Sequence, residues 1–138
     1  MVFHPAELSV GDEASLLITI TAETVAEFAR LSGDDAPFHT DAAYARSHGF
    51  PGTLVHGVLL AAYVSRMVGT TLPGPTSLLQ RMELTWRAPC SAPCSVTVTA
   101  TVKQVSAAVR AIRMSVRIED ESGRVLATGE TSHSMLPD

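Results

Sequence analysis

Residues 55–70, VHGVLLAAYVSRMVGT, are the stretch that decides the fold of this chain. Apolar residues occupy most sides of the helix that their spacing predicts, and Ala61, Ala62 and Gly69 would let neighbouring elements approach closely. A helix that is apolar nearly all round is expected at the centre of a protein rather than at its surface. The sequence therefore predicts a buried central helix over about residues 55–70.

Downstream of this helix, the hydrophobic period changes to two and stays there. Alternating apolar and polar residues are typical of antiparallel strands with one face on a core and the other in water. Four such strands are predicted, at residues 78–87, 96–103, 112–119 and 124–135. We expect their apolar face to wrap around the central helix.

Upstream of the central helix, shorter elements are predicted. They are a strand at residues 15–20, a helix at residues 21–33, a loop at residues 34–41 and a short helix at residues 41–49. Thr21 and Asp41 are suitable N-caps, and glycines end both helices. Pro37 restricts Ala36 to extended geometry, which favours a loop there.

These elements constitute an α+β protein with an antiparallel sheet of about five strands, and their order matches a hotdog fold. The chain has 138 residues and neither repeats nor linkers, so we expect one domain over residues 1–138. A single sheet would leave a strand edge exposed. Pairing with a second copy, as a homodimer or a dimer of dimers, is the expected remedy.

Composition excludes several classes of protein. Hydrophobic residues make up 46%, which excludes wholesale disorder, and a net charge of −4 argues against a nucleic-acid partner. The longest apolar stretch, residues 54–64, is too short to span a membrane. Residues 1–15 lack the charged and apolar regions of a signal peptide. We therefore expect a cytoplasmic protein without a membrane partner.

Reactive side chains are concentrated at residues 31–39, LSGDDAPFH. A loop shaped by Gly33 and Pro37 can bring Asp34 and His39 together. A carboxylate beside an imidazole can position one water molecule and move its protons near neutral pH. Taken alone, the same residues also fit a loop in which Asp34 caps backbone amides and His39 lies at the surface.

Gly57 lies where the central helix begins. Unpaired amides at a helix N-terminus attract negative charge, and glycine has no side chain to block a ligand from approaching them. A tight turn into a buried helix would also explain this glycine. Ser65 follows about two turns later on the same helix face, where it is equally compatible with a small core residue.

Together these features resemble the (R)-specific enoyl-CoA hydratases and the wider MaoC-like dehydratase family. Residues 28–45, FARLSGDDAPFHTDAAYA, are similar to the family's hydratase motif, which contains Gly-Asp-x-Asn-Pro-aliphatic-His between an aromatic and a small residue. The matching positions are Phe28, Leu31, Ser32, Gly33, Asp34, Pro37, Phe38, His39 and Ala45. Residues 49–74 look like the family's entry to the hotdog helix, so the resemblance covers nearly the whole chain.

The resemblance implies a hydro-lyase that reversibly hydrates a trans-2-enoyl thioester to the (R)-3-hydroxyacyl thioester, or runs the reverse dehydration. Its substrate would be carried on coenzyme A or on the phosphopantetheine of an acyl-carrier protein, with no metal and no cofactor. Seven residues receive roles: Asp34 and His39 as the catalytic pair, Gly57 in the oxyanion hole, Ser65 as a support, and Phe38, Val55 and His56 in the substrate pocket.

Two positions depart from the family pattern. Ala36 replaces the motif asparagine, and residues 92–95 replace a common Gly-Asp turn. Two other functions therefore stay open. A hotdog thioesterase typically has a carboxylate on or beside the central helix, and residues 55–72 contain neither Asp nor Glu. A non-catalytic acyl-thioester-binding module would be consistent with Ala36.

Two remaining features have simple explanations. Cys90 and Cys94 lack a second pair of metal ligands, so we expect two ordinary thiols in a turn. Arg113 and Arg117 would suit the phosphates of a thioester carrier, but a solvated strand face explains them as well.

Overall fold

The computed structural model describes residues 7–137. Residues 1–6, part of the segment in which we saw no signal peptide, lie outside this range. The described elements are β1 (Glu13–Ile20), α1 (Ala22–Ser32), α2 (Pro37–Thr40), α3 (Ala42–Ser47), α4 (Gly57–Thr70), β2 (Ser77–Trp86), β3 (Cys94–Ser106), β4 (Ala111–Asp120) and β5 (Val125–Met135). No helix within residues 7–137 is long and apolar enough to cross a bilayer.

The five strands form one antiparallel sheet with the order β1-β3-β4-β5-β2. The predicted α+β arrangement, a sheet of about five strands against a central helix, is thereby confirmed. Because β1 and β2 each have one neighbour, they are the two edges of the sheet. The centre of the sheet is β4, which is paired along both sides.

The core lies between α4 and the alternating inward residues of the sheet. On β3 and β4 these inward residues are buried: Val96, Val98, Ala100, Val102, Ile112, Met114, Val116 and Ile118. α4 contributes Leu59, Leu60, Val64, Met67 and Val68. Each large side chain removed from water contributes about 1.5–3 kcal/mol, so this interface is the main source of stability.

The expectation that α4 is buried all round is wrong for one face. Val58 is 63% exposed, and Ala62, Ser65 and Arg66 are also exposed. The reason is geometric: one sheet covers one side of a helix, and no described element covers the other. α4 also begins two residues later than predicted, because Leu54 forms a β-bridge with Ser91 and the His56 backbone is extended.

The expectation that the alternating apolar residues of β2 all face the core is also only partly correct. Met82 and Leu84 are half-buried, whereas Leu78 is 50% exposed and Trp86 is 49% exposed. β2 is an edge strand, and its register shifts between Leu79 and Arg81. Leu78 and Trp86, near the two ends of β2, are therefore only partly covered.

The predicted caps of the early helices are confirmed, but one predicted loop contains a helical turn. Thr21 caps α1 through the Thr24 amide, and α1 ends at Gly33 with φ 78°, a left-handed conformation that favours glycine. Asp41 caps α3 through the Tyr44 amide. Residues 37–40 form α2, since Pro37 occupies its first position, where no N–H donor is needed.

Candidate active site

The loop after α1 presents the Asp34 carboxylate to solvent. The Ser32 hydroxyl donates to the Phe28 carbonyl at 2.7 Å, and the Asp34 amide donates to the same hydroxyl at 3.2 Å. These bonds hold the backbone on both sides of Gly33. Asp34 itself is exposed, and its Oδ1 accepts only a long 3.5 Å contact from the Ala36 amide. The carboxylate is therefore available for a ligand.

His39 is oriented by a backbone carbonyl. It lies on α2 and is half-buried, and its Nδ1 is 2.8 Å from the Leu54 carbonyl oxygen. A carbonyl can only accept, so Nδ1 carries the hydrogen in this bond. Nε2 is then the nitrogen that can exchange a proton with a ligand.

His56 lies beneath the Asp34–His39 pair. Its side chain is buried at 2% exposure, and its Nε2 is 2.9 Å from the Asp34 carbonyl oxygen. Its ring stacks on His39, with centroids 3.7 Å apart and planes 16° apart. On its other side it meets the ring of Phe28 edge-on at 4.9 Å.

Asp34, His39 and His56 each offer one oxygen or nitrogen atom, and these atoms lie within 4.8 Å of one another. Two hydrogen bonds of about 2.8 Å can reach across that separation, so one water can bridge the Asp34 carboxylate and His39. The nitrogen lone pairs of two stacked rings lie in nearly parallel planes and do not converge on one point. The arrangement therefore suits proton transfer better than metal ligation.

Gly57 starts α4 beside a cavity. His56 is the N-cap residue of α4 and makes no side-chain capping bond. The Gly57 amide has no hydrogen-bond acceptor within residues 7–137. A Cβ at Gly57 would lie 2.5 Å from the indole nitrogen of Trp86, so only glycine allows this close approach. The adjoining cavity has a volume of about 340 Å³ and is lined by Val55, Gly57, Leu60, Trp86, Arg87, Ala88, Pro89 and Cys90.

The structure brings together most of the predicted site residues. Asp34, His39 and Gly57 are joined through His56, and Val55 lines the cavity, while its role in substrate binding stays a prediction. Asp34, His39, His56 and Phe38 are not among the cavity-lining residues. Phe38 packs in an aromatic cluster with Tyr44, His48 and Phe50. Ser65 is exposed on α4, about two turns from Gly57. Its supporting role stays a prediction.

Sequence reasoning missed Trp86 and Arg87 as cavity residues. Trp86 is the only tryptophan of the chain, which was a signal, but nothing local shows that the end of β2 meets the start of α4. By contrast, Arg113 and Arg117 lie on the exposed face of β4, and Arg117 pairs with Glu119. This agrees with a solvated strand face.

The two cysteines are free and half-buried. Cys90 donates a hydrogen bond to the sulfur of Cys94, and this bond raises the pKa of the Cys90 thiol and lowers the pKa of Cys94. Burial of Cys90 acts in the same direction as its hydrogen bond. Cys94 is therefore the more nucleophilic thiol.

Comparison with known proteins identifies the family. Residues 8–122 match the model of the MaoC-like domain. The chain belongs to the MaoC-like family. An (R)-specific enoyl-CoA hydratase from Aeromonas caviae is 34% identical over 123 residues, covering 89% of this chain and 92% of that protein. The predicted family is thus confirmed.

Solved structures agree with this assignment. The (R)-hydratase from A. caviae involved in PHA biosynthesis superposes with a TM-score of 0.90 at 32% identity, covering 94% of this MaoC-like chain and 98% of that chain. The unliganded R-hydratase from Pseudomonas aeruginosa has a TM-score of 0.92 at 30% identity, covering 97% and 86%. The predicted hotdog fold is confirmed.

Proposed function

We propose that this MaoC-like protein is a hydro-lyase that adds water reversibly to a trans-2-enoyl thioester and forms the (R)-3-hydroxyacyl thioester. The observation that carries the proposal is the adjacency of Asp34 and His39, with the free Nε2 of His39 beside an exposed carboxylate. The similarity to (R)-specific enoyl-CoA hydratases supports the same chemistry.

In this mechanism Asp34 and His39 hold one water molecule between them. The Asp34 carboxylate takes a proton from the water as its oxygen bonds to C3 of the substrate. His39, entering the step as imidazolium, donates a proton from Nε2 to C2. Asp34 takes up one proton and His39 delivers one, so the addition of water balances. A proton then passes from Asp34 to His39 before the next turnover. Since the Asp34 carboxylate and the His39 imidazole hold the same water, the assignment of acid and base between them could also be reversed.

The Gly57 amide has a separate task. As water adds to C3, negative charge develops on the thioester oxygen, and an amide at the start of α4 can donate to it. Glycine leaves this amide accessible. Since Asp34 and His39 lie on one side of the substrate, water and proton reach the same face of the double bond, which gives syn addition.

The substrate thioester is carried on coenzyme A or on the phosphopantetheine of an acyl-carrier protein. Arg87 lines the cavity beside Gly57 and offers a cation for a carrier phosphate. The Asp34–His39 pair supplies both proton transfers and Gly57 the oxyanion donor, so the proposed reaction needs no cofactor.

The working form is a homodimer, or a dimer of such dimers, joined along the β2 edge. Among the strands of residues 7–137, β2 has a pairing partner on one side only. Leu78 and Trp86 on β2 and Val58 on α4 are exposed. A second copy would pair with the other side of β2 and cover the exposed face of α4. Light scattering of the purified protein at low micromolar concentration should give twice, or four times, the 14.6 kDa chain mass.

Two assays run in parallel test the reaction. Purified protein is mixed with a short trans-2-enoyl-CoA, and loss of the conjugated enoyl absorbance is followed beside release of free thiol. We expect enoyl loss without thiol release, and an (R)-3-hydroxyacyl product on chiral analysis. Thiol release alone would instead identify a thioesterase, although α4 carries no carboxylate to support hydrolysis. Saturable binding with neither reaction would identify a non-catalytic module.

A further inference from the structure

We propose that His56 is a positioning residue whose buried imidazole holds Asp34, His39 and Gly57 in their reacting arrangement. The inference rests on the proposed function for the roles of those three residues. It differs from a substrate-contacting role, because His56 is 2% exposed and its Nε2 already donates to the Asp34 carbonyl oxygen. It also assigns His56 no proton transfer of its own.

The hydrogen bond to Asp34 is the first part of the argument. The Asp34 carbonyl oxygen can only accept, so His56 donates from Nε2 across 2.9 Å and 22 positions of sequence. This bond holds the backbone of the residue that carries the catalytic carboxylate. Without it, the backbone of Asp34 keeps one hydrogen bond within residues 7–137, from its own amide to the Ser32 hydroxyl at 3.2 Å.

The ring stack on His39 is the second part. A single hydrogen bond from Nδ1 to Leu54 leaves the His39 ring free to rock about that bond. The His56 ring, at 3.7 Å and within 16° of parallel, removes this freedom from one face. Phe28 packs edge-on against His56 and keeps the stacked ring in place. The direction of His39 Nε2 is thus determined by two contacts.

The position of His56 in the chain is the third part. It is the N-cap residue of α4, and its carbonyl accepts from the amides of Leu59 and Leu60 at 3.0 and 3.3 Å. Its backbone therefore determines where the next residue, Gly57, presents its amide. One side chain consequently ties together the Asp34 loop, α2 and the start of α4.

The energetic cost of this histidine favours a specific role. With Nε2 donating, Nδ1 is the acceptor nitrogen, and it is buried without a hydrogen-bond partner in residues 7–137. Leaving a buried polar atom unpaired lowers stability, because the atom loses its bonds to water without replacement. An apolar side chain would avoid that cost but would lose the donor to Asp34. The structure retains the combination of flat ring and donor that only His supplies here.

Three substitutions separate the two contacts. His56→Gln keeps an N–H donor at the position of Nε2 but loses the ring, His56→Phe keeps the ring but loses the donor, and His56→Ala loses both. We expect kcat for enoyl hydration to fall about 100-fold in the Ala variant, since misplacing reacting groups by about 1 Å costs that much. The Gln and Phe variants should each recover part of the loss, and KM should change less than threefold in all three.

His133→Gln is the matched control. His133 is also buried, at 1% exposure, and its Nδ1 has no hydrogen-bond partner among residues 7–137, but it lies on β5 outside the site. If loss of a buried histidine acted only through stability, His133→Gln would lower kcat as much as His56→Gln. We expect its kcat to stay within twofold of wild type. Thermal unfolding of every variant shows the folded fraction, and the Gln and Phe variants carry the test if the Ala variant does not fold.

Several outcomes would overturn the inference. Folded Gln and Phe variants with wild-type kcat would show that neither contact matters for the reaction. A large rise in KM at unchanged kcat would make His56 a substrate-binding residue instead. In both cases an active wild type leaves the proposed hydratase function intact. A wild type that does not consume enoyl thioesters would reject the proposed function itself, and this inference with it.

Discussion

The centre of the sheet and the segment from Asp34 to Gly57 are built in opposite ways. On β3 and β4 the inward side chains are almost fully buried, and each strand is bonded on both sides. In the site segment, the Leu54 carbonyl orients His39, and the Asp34 carbonyl accepts a hydrogen bond from His56. The Asp34 carboxylate is exposed. The sheet thus rests on many similar contacts, whereas the site rests on a few directed ones. Substitutions in the first region should reduce stability, and those in the second should reduce rate.

Asp34→Asn should produce the largest effect, a loss of about 1,000-fold or more in hydration rate, because an amide cannot take a proton from water. Asp34 is exposed and its side chain supports little of the fold, so the unfolding temperature should stay close to wild type. Enoyl absorbance and circular dichroism during heating measure the two properties. A fully active Asp34→Asn variant would show that Asp34 is not the catalytic base and that the catalytic centre lies elsewhere.

Ile118→Ala should show the reverse pattern. Ile118 on β4 is fully buried, and truncating it leaves a cavity that costs about 2–5 kcal/mol of unfolding free energy. Activity per folded molecule should be unchanged. Denaturant titration with urea gives the stability, and Leu17→Ala, at a side chain 75% exposed, is the neutral control. A catalytic defect in folded Ile118→Ala would show that the centre of the sheet and the site segment are coupled.

His133 should make stability depend on pH. Burial lowers the pKa of His133 from 6.5 to about 4, so between these values the unfolded chain binds a proton that the folded chain does not. Stability should therefore fall as pH drops from 6.5 towards 4, by about 3 kcal/mol at most. Urea titrations across this range measure it. His133→Gln should lose this component, and an identical pH dependence in both proteins would contradict the assignment.

Gly57→Ala should lower hydration about tenfold with little change in stability. The new methyl group would lie 2.5 Å from Nε1 and 2.9 Å from Cε2 of Trp86. The Trp86 ring must shift to make room for the methyl group, and the cavity wall moves with it. A double-mutant cycle with Trp86→Ala checks the cause: the alanine at 57 should cost less once the indole is gone. Equal costs in both backgrounds would point to the amide rather than to Trp86.

The smallest effect concerns the boundary between the two regions. Cys90 lines the cavity and Cys94 begins β3. Because the pKa of Cys94 is lowered by its bond from Cys90, iodoacetamide at neutral pH should modify Cys94 several times faster, as peptide mass spectrometry would show. Replacing the donor, Cys90→Ala, should slow alkylation of Cys94. Faster modification of Cys90 than of Cys94 would show that the hydrogen bond runs in the opposite direction, from Cys94 to Cys90.

Much of the fold could be predicted because its signals are local. Alternation along β3 and β4 reports which face is buried, and Thr21, Gly33 and Asp41 act within their own turns. The exposed face of α4 and the exposed ends of β2 could not be predicted. Whether a helix face is covered, or a strand is at an edge, depends on the neighbours that a strand or helix finds after folding.

The candidate site divides in the same way. Asp34 and His39 are five positions apart and could be identified from their spacing and motif. The bond from His56 to Asp34 spans 22 positions, and the contact of Trp86 with Gly57 joins a strand end to a helix start. Neither leaves a periodic trace in the sequence. The reactive residues Asp34 and His39 could therefore be predicted from the sequence. The contacts that position the site, made by His56 and Trp86, were identified only in the structure.

A short bridge beside the site has a consequence for how this protein can evolve. Leu54 pairs with Ser91, with bonds from the Val55 amide to Cys90 and from the Ala92 amide to Thr53. The same Leu54 supplies the carbonyl that orients His39. Inserting or deleting a residue in the connection between β2 and β3 would shift that carbonyl. New substrate preferences should therefore arise by exchanging side chains along the cavity, while the length of this connection stays constant among active descendants.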